Sequence, residues 1–85
     1  MITFTYVIKD EMGIHARPAG QLVKLASGLS STVTLGKGNK KGDARKIFAV
    51  MGLGIKCGEE MSVAVEGEKE AEDAEKIREF LEQNL

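Results

Sequence analysis

The sequence predicts an α+β fold, an open-faced sandwich in which three helices cover one face of a four-stranded antiparallel sheet. Short segments in which apolar and polar side chains alternate predict strands that have only one strongly apolar face. The predicted elements follow the order β-α-β-β-α-β-α, without a repeat or a linker. An 85-residue chain of this kind is expected to form a single domain over residues 1–85.

The first half of the chain predicts a strand, a helix and a hairpin. The segment ITFTYVIK places four apolar side chains on one face of a strand: Ile2, Phe4, Tyr6 and Ile8. In HARPAGQLVKLASG, apolar residues recur at helical spacing, Pro18 falls in the first turn and Gly28 ends the helix. Residues 31–44, STVTLGKGNKKGDA, predict a strand that turns through residues 36–39 into a second, more polar strand.

The second half predicts a short helix, a strand and a longer helix. The apolar run KIFAVMGL predicts the short helix, and the alternation in EMSVAVEG predicts the strand. In KEAEDAEKIREFLEQNL, five residues form one helical stripe: Ala71, Ala74, Ile77, Leu81 and Leu85. The water-facing side of the sheet should carry small hydroxyl residues: Thr3, Thr5, Thr32, Thr34 and Ser62.

Composition narrows the class of protein. With 42% hydrophobic and 29% charged residues, the chain differs from disordered and membrane proteins. Its one cysteine, Cys57, cannot form an intramolecular disulfide, and neither a signal peptide nor a long apolar run is visible. We therefore expect a cytoplasmic protein that does not insert into membranes.

The net charge of −1 hides an uneven distribution along the chain. Residues 1–58 carry nine Lys or Arg against three Asp or Glu, net +6, and residues 59–85 carry three against ten, net −7. Such runs are usually solvated surfaces. The alternative is a basic face that binds an acidic or phosphorylated partner.

The segment GIHARPAG holds the only histidine and the only proline of the chain. Because His15 precedes the first predicted helix, the free N–H groups of the first turn and the positive end of the helix dipole should form an anion site beside it. Arg17 adds a cation. These surroundings should disfavour the imidazolium, leave a ring nitrogen free as a nucleophile and stabilise an attached phosphoryl group. The alternative is a histidine that only caps the helix, beside a solvated arginine.

Other chemistries find little support in the residue types present. One histidine and one distant cysteine supply too few ligands for a zinc site. A single histidine without a nucleophile motif does not favour acyl transfer. We expect neither a metal nor another cofactor.

GIHARPAG, followed by KIFAVMGLGIKCGEEMSVAVEG, resembles the histidine-containing phosphocarrier (HPr) family of bacterial sugar phosphotransferase systems over essentially the whole chain. The resemblance implies the HPr type of open-faced sandwich and a phosphoryl carrier rather than a turnover enzyme. It implies that His15 accepts, on Nδ1, a phosphoryl group that originates on phosphoenolpyruvate and arrives from phospho-Enzyme I. His15 would pass this group to sugar-specific IIA domains, and Arg17 would neutralise its charge.

The resemblance also implies a docking surface on the second helix, with three exposed apolar candidates: Ile47, Phe48 and Met51. The alternative is that this apolar run is core, as we expect for Val50 and Leu53. We expect a monomer, although no sequence feature fixes the oligomeric state.

On the first helix, the candidate partner-binding residues are Ala16, Gln21 and Lys24. Arg17, Gln21 and Lys24 share one helix face and should ring the histidine with positive charge. A basic rim around an apolar centre would suit acidic partners that bind transiently.

One position departs from the family pattern. Many HPr proteins of Gram-positive bacteria carry a regulatory serine at the start of the second helix, where this chain has Lys46. Regulation by the serine kinase is therefore not expected at this position.

Two other functions stay open at the level of sequence. A regulator with the same fold, or a carrier in a nitrogen-related branch, would have the same motif. Nucleic-acid binding through the basic half is disfavoured, because aromatic residues are only 5% and no recognition-helix pattern accompanies the charge.

Overall fold

Strands and helices follow one another in the predicted order in the computed structural model, which describes residues 1–85. The strands are β1 (Ile2–Val7), β2 (Thr32–Lys37), β3 (Lys40–Asp43) and β4 (Glu60–Glu66). The helices are α1 (Ala16–Ser27), α2 (Ile47–Gly52) and α3 (Glu70–Asn84). All four strands form one antiparallel sheet in the order β1-β4-β2-β3, which confirms the predicted α+β fold class.

The core lies between one face of the sheet and the helices. The two central strands contribute fully buried side chains, which are Val33, Leu35, Met61, Val63 and Val65. The helices contribute Leu22, Ala26, Val50, Ile77 and Leu81, all with no exposed surface. The opposite face of the sheet meets water as predicted, with Thr34 half-buried and Thr3, Thr5, Thr32 and Ser62 exposed.

The apolar face of β1 is less buried than the central strands. Ile2, Phe4 and Tyr6 are half-buried, because β1 is an edge strand that pairs only with β4. The guanidinium of Arg78 on α3 lies 4.6 Å from the centre of the Phe4 ring, within the range of a cation–π contact. The side chain of Arg78 thus covers part of the apolar face of β1, which the sequence pattern predicts to pack against apolar residues only.

The predicted apolar stripe of α3 is wrong at one position, because Ala71 is exposed. Asp73, which was not part of the stripe, is buried instead. One carboxylate oxygen of Asp73 accepts a hydrogen bond from the backbone N–H of Ser31 at 3.1 Å. Ser31, whose backbone N–H donates this bond, holds the pKa of Asp73 below its ordinary value. A buried charge is tolerated there because it has this partner.

The β2–β3 hairpin turns through Gly38 and Asn39, and Lys37 pairs with Lys40 on either side. Gly38 has φ +58°, the positive value that the first central position of a type II′ turn requires. None of the three helices combines the length and apolar character needed to cross a membrane.

Candidate functional site

His15 is the residue at which α1 begins. Its backbone is extended, with φ −112° and ψ 178°, and its carbonyl oxygen accepts the first helical hydrogen bond from the N–H of Ala19 at 3.0 Å. The imidazole makes no capping hydrogen bond. The predicted N-cap position is confirmed, and the ring is not used to cap the helix.

The first turn of α1 presents donors without acceptors. The N–H groups of Ala16 and Arg17 have no hydrogen-bond acceptor within the chain, and Pro18 has no N–H to satisfy. The turn contains no acidic side chain. Together with the positive end of the helix dipole, these groups favour an anion next to the imidazole.

An open, polar cleft surrounds the imidazole. Its lining residues are Asp10, His15, Arg17, Pro18, Gln21 and Asn84, and we call this group the His15 cleft. The side chain of His15 is 31% exposed, so a partner can reach the ring. The guanidinium of Arg17 is exposed and forms no salt bridge, which leaves it available to an incoming anion.

Asp10 is a cleft residue that sequence reasoning missed. One of its carboxylate oxygens, Oδ2, lies 3.8 Å from Nε2 of His15, and the other, Oδ1, accepts a hydrogen bond from the N–H of Met12 at 2.9 Å. An aspartate close before a glycine is a turn signal, but a turn signal alone does not show which side chain the carboxylate faces. Asn84 was also missed, because the sequence pattern does not show that the end of α3 lies beside the start of α1.

The predicted ring of positive charge is therefore incomplete. Gln21 lines the cleft, whereas Lys24 is exposed further along α1 and does not line it. Asp10 brings a negative charge into the cleft, 3.8 Å from Nε2 of His15. The cleft combines one cation and one carboxylate rather than cations alone.

The loop before α1 is joined to the segment after α2. The N–H of Ile14 donates to the carbonyl oxygen of Ile55 at 3.0 Å. Gly13 has φ +67°, and a Cβ at this position would lie 2.6 Å from the same oxygen, so only glycine fits. This contact places the C-terminal end of α2 next to the start of α1.

The segment after α2 is held to the sheet by a charged pair. Nζ of Lys37 donates to the carbonyl oxygen of Gly54 at 3.2 Å and to the carboxylate of Glu59 at 2.9 Å. The same carboxylate accepts a hydrogen bond from the N–H of Lys56 at 2.7 Å. Lys37, and then the backbone of Lys56, hold the pKa of Glu59 below its ordinary value.

The apolar candidates of α2 differ in exposure. The side chain of Phe48 is 86% exposed and that of Met51 is 40% exposed, whereas Ile47 is half-buried against the core. Val50 and Leu53 are buried, as expected. We call Ile47, Phe48 and Met51 the α2 surface. Since α2 contacts α1 and ends beside its start, this surface and the His15 cleft belong to neighbouring parts of the molecule.

Lys46 is the N-cap residue of α2 and is exposed, without a side-chain capping hydrogen bond. Its backbone N–H donates to the carbonyl oxygen of Asp43 at 3.0 Å. No cluster of three or more His, Cys, Asp or Glu side chains is arranged to hold a metal ion.

A helix-start histidine on an open-faced sandwich is the arrangement of a small phosphocarrier. Residues 2–83 match the family described as "PTS HPr component phosphorylation site". The chain belongs to the HPr family of the phosphotransferase system.

Individual relatives agree with this assignment. The phosphocarrier protein HPr of Mycoplasma capricolum is 40% identical over 67 residues, which cover 79% of this chain and 75% of the relative. A crystal structure of HPr-C-His from Thermoanaerobacter tengcongensis has a TM-score of 0.92 and 36% identity, covering 98% of this chain and 93% of that one. A second crystal structure, of an HPr dimer from the same organism, has a TM-score of 0.76 and 36% identity, with coverages of 98% and 95%.

Proposed function

We propose that residues 1–85 act as one phosphocarrier domain, in which His15 accepts a phosphoryl group from phospho-Enzyme I and passes it to sugar-specific IIA domains. The observation that carries the proposal is the position of His15 in a chain of the HPr family. Its partly exposed ring stands at the start of α1, whose first turn has two unpaired N–H groups and the free guanidinium of Arg17.

The chemistry of this site is nucleophilic transfer. The lone pair of Nδ1 forms a bond to phosphorus while the bond between phosphorus and Enzyme I breaks, and onward transfer to a IIA domain reverses these roles. The guanidinium of Arg17 and the N–H groups of Ala16 and Arg17 offset the negative charge of the phosphoryl group. Because α1 fixes the N–H groups of Ala16 and Arg17 in the free protein, these donors need little reorganisation for the transfer.

Docking is assigned to the α2 surface together with Ala16, Gln21 and Lys24. Phe48 and Met51 are both exposed and lie three residues apart on α2, so they share a helix face, and an exposed apolar patch of this kind marks an interaction site. Met51 adds an adaptable contact, which suits a carrier that must bind a donor and several acceptors in turn. The carrier is proposed to work as a cytoplasmic monomer. One T. tengcongensis structure is described as an HPr dimer, and a dimer of this chain in solution would contradict the proposal.

The proposal is tested by incubating the chain with Enzyme I and phosphoenolpyruvate. We expect one acid-labile phosphate per molecule, measured by intact mass, and no phosphate on His15→Ala. The matched control Ser27→Ala, at the exposed end of α1, should label like the wild type. An unlabelled wild type, or a fully labelled His15→Ala, would refute the proposal.

Regulation by serine phosphorylation is expected to be absent at the start of α2. Lys46 replaces the hydroxyl that a serine kinase would modify. Incubation with the HPr serine kinase and ATP should leave the chain without phosphate. Stoichiometric phosphate on a nearby residue such as Ser27 would show that the regulatory position has moved.

A further inference from the structure

Asp10 is held rigidly in the loop between β1 and α1. Its backbone N–H donates to the carbonyl oxygen of Leu85 at 2.9 Å, and its own carbonyl oxygen accepts the N–H of Gly13 at 2.9 Å. Its Oδ1 accepts the N–H of Met12, also at 2.9 Å. Three hydrogen bonds therefore fix both the backbone and the carboxylate plane of this residue.

The free carboxylate oxygen of Asp10 faces one particular nitrogen of His15. Oδ2 lies 3.8 Å from Nε2, and both side chains are only about a third exposed, at 30% and 31%. This separation is an ion-pair distance, longer than a hydrogen bond. Hydrogen bonds of catalytic groups are often long in the free protein and shorten in the reacting complex. The only other charged side chain that lines the cleft is Arg17.

A carboxylate beside one ring nitrogen selects the tautomer of a neutral imidazole. The nitrogen that faces the carboxylate carries the proton, and the other nitrogen keeps its lone pair. Here the protonated nitrogen would be Nε2, which leaves Nδ1 as the nucleophile.

We propose that Asp10 is a positioning residue, which holds His15 with the Nε2 proton towards Oδ2 and so presents the lone pair of Nδ1 to the incoming phosphoryl group. The inference rests on the proposed function and adds a residue to it. During transfer the bond between Nδ1 and phosphorus forms, the bond between phosphorus and the donor breaks, and Nε2 keeps its proton. The phosphorylated ring is then cationic, and the carboxylate of Asp10 faces that charge.

Asp10→Asn separates this role from a structural one. The amide oxygen of asparagine can still accept the N–H of Met12, but the group that faces Nε2 becomes a neutral donor. The matched control is Glu11→Gln, which removes the same charge from the adjacent, exposed residue without a contact to His15.

The tautomer is measured by ¹⁵N chemical shifts of the single histidine at about pH 9, where an ordinary imidazole is neutral. We expect the ratio of Nε2–H to Nδ1–H forms to fall about two- to fivefold in Asp10→Asn, the range of a partly exposed charged pair, and to stay unchanged in Glu11→Gln. The rate of phosphorylation by phospho-Enzyme I should fall by a similar factor only in Asp10→Asn. An equal tautomer ratio in wild type and Asp10→Asn would overturn the inference.

Failure of the proposed function has a different signature. The tautomer measurement needs no phosphoryl donor. It therefore tests the role of Asp10 even if Enzyme I does not phosphorylate the chain. If Asp10→Asn slows phosphorylation with the wild-type tautomer ratio, its effect is structural and the inference is wrong. If Glu11→Gln shifts the ratio as much as Asp10→Asn, the effect is one of general charge and the inference is equally wrong.

Discussion

The His15 cleft and the α2 surface lie next to each other and are built from opposite kinds of side chain. The cleft is lined by polar and charged groups around a partly exposed imidazole, whereas the α2 surface presents an almost fully exposed phenyl ring. Polar groups that are fixed before the reaction stabilise charge, and exposed apolar groups gain free energy when a partner covers them. In the proposed function, the cleft would perform the transfer and the α2 surface would hold the partner.

The largest effect is expected where the two regions are joined. Gly13→Ala would place a methyl group 2.6 Å from the carbonyl oxygen of Ile55 and would force an alanine to φ +67°. We expect it to destabilise the fold by about 2–4 kcal/mol, because both strain and displacement of the loop contribute. Urea unfolding measures this loss.

Gly20→Ala is the matched control for that change. Gly20 lies inside α1 with nothing within 4 Å of an added Cβ. Gly20→Ala should stabilise the protein by about 0.5–1 kcal/mol, because alanine loses less backbone entropy than glycine when a helix forms. Equal stabilities of the two alanine variants would contradict the account of the junction at Gly13.

The second effect concerns the α2 surface. Phe48→Ala should speed dissociation from Enzyme I about tenfold, since a large exposed ring of this kind contributes about 1.4 kcal/mol when a partner buries it. Stopped-flow dissociation measures this rate. The free energy of unfolding should change by less than about 0.5 kcal/mol, because the side chain is 86% exposed in the free protein.

Val7→Thr serves as the control for Phe48→Ala. Val7 is also an exposed apolar side chain, 45% exposed, but it lies on β1. Its replacement should leave the dissociation rate unchanged. If Phe48→Ala dissociates like the wild type, the α2 surface is not the docking surface.

A smaller effect is expected at the basic edge of α1. Lys24→Glu should slow association with Enzyme I about two- to fivefold at low salt and weaken the salt dependence of the rate, because the charge acts by steering. The control Lys69→Glu makes the same charge change at the exposed start of α3. Equal slowing by both variants would mean that only net charge matters.

The smallest effect is expected at Asp43, in the connection between β3 and α2. The backbone N–H and the guanidinium of Arg45 hold the pKa of Asp43 below its usual value near 3.8. Since the folded pKa is depressed, this stabilisation is present above the unfolded pKa and is lost as pH falls through the folded one. Asp43→Asn should cost about 0.5 kcal/mol at neutral pH and nothing measurable well below pH 3.8. Urea unfolding at both pH values measures it, and a pH-independent cost would contradict the assignment.

The sequence predicted the parts of this structure that depend on local pattern. The alternation in β2 and β4, the helical spacing in α1 and the position of His15 at its start all follow from side-chain order and agree with the structure. These features need no knowledge of which segments meet.

The features that the sequence did not predict depend on tertiary contacts. Asp10 faces His15 from a loop whose backbone hydrogen-bonds to Leu85, at the opposite end of the sequence. Asp73 is buried in α3 because a distant backbone N–H, that of Ser31, binds its carboxylate. A periodicity argument assigns such carboxylates to solvent, since it contains no information about their partners.

The division of roles between the two regions is tested most directly by single-turnover transfer from phospho-Enzyme I at increasing concentrations of the carrier. We expect Arg17→Ala to lower the maximal rate about tenfold or more while leaving the half-saturating concentration within about twofold of wild type. Phe48→Ala should raise the half-saturating concentration about tenfold and leave the maximal rate unchanged. If both variants change the same quantity, the cleft and the α2 surface do not divide chemistry and docking, and the account is wrong.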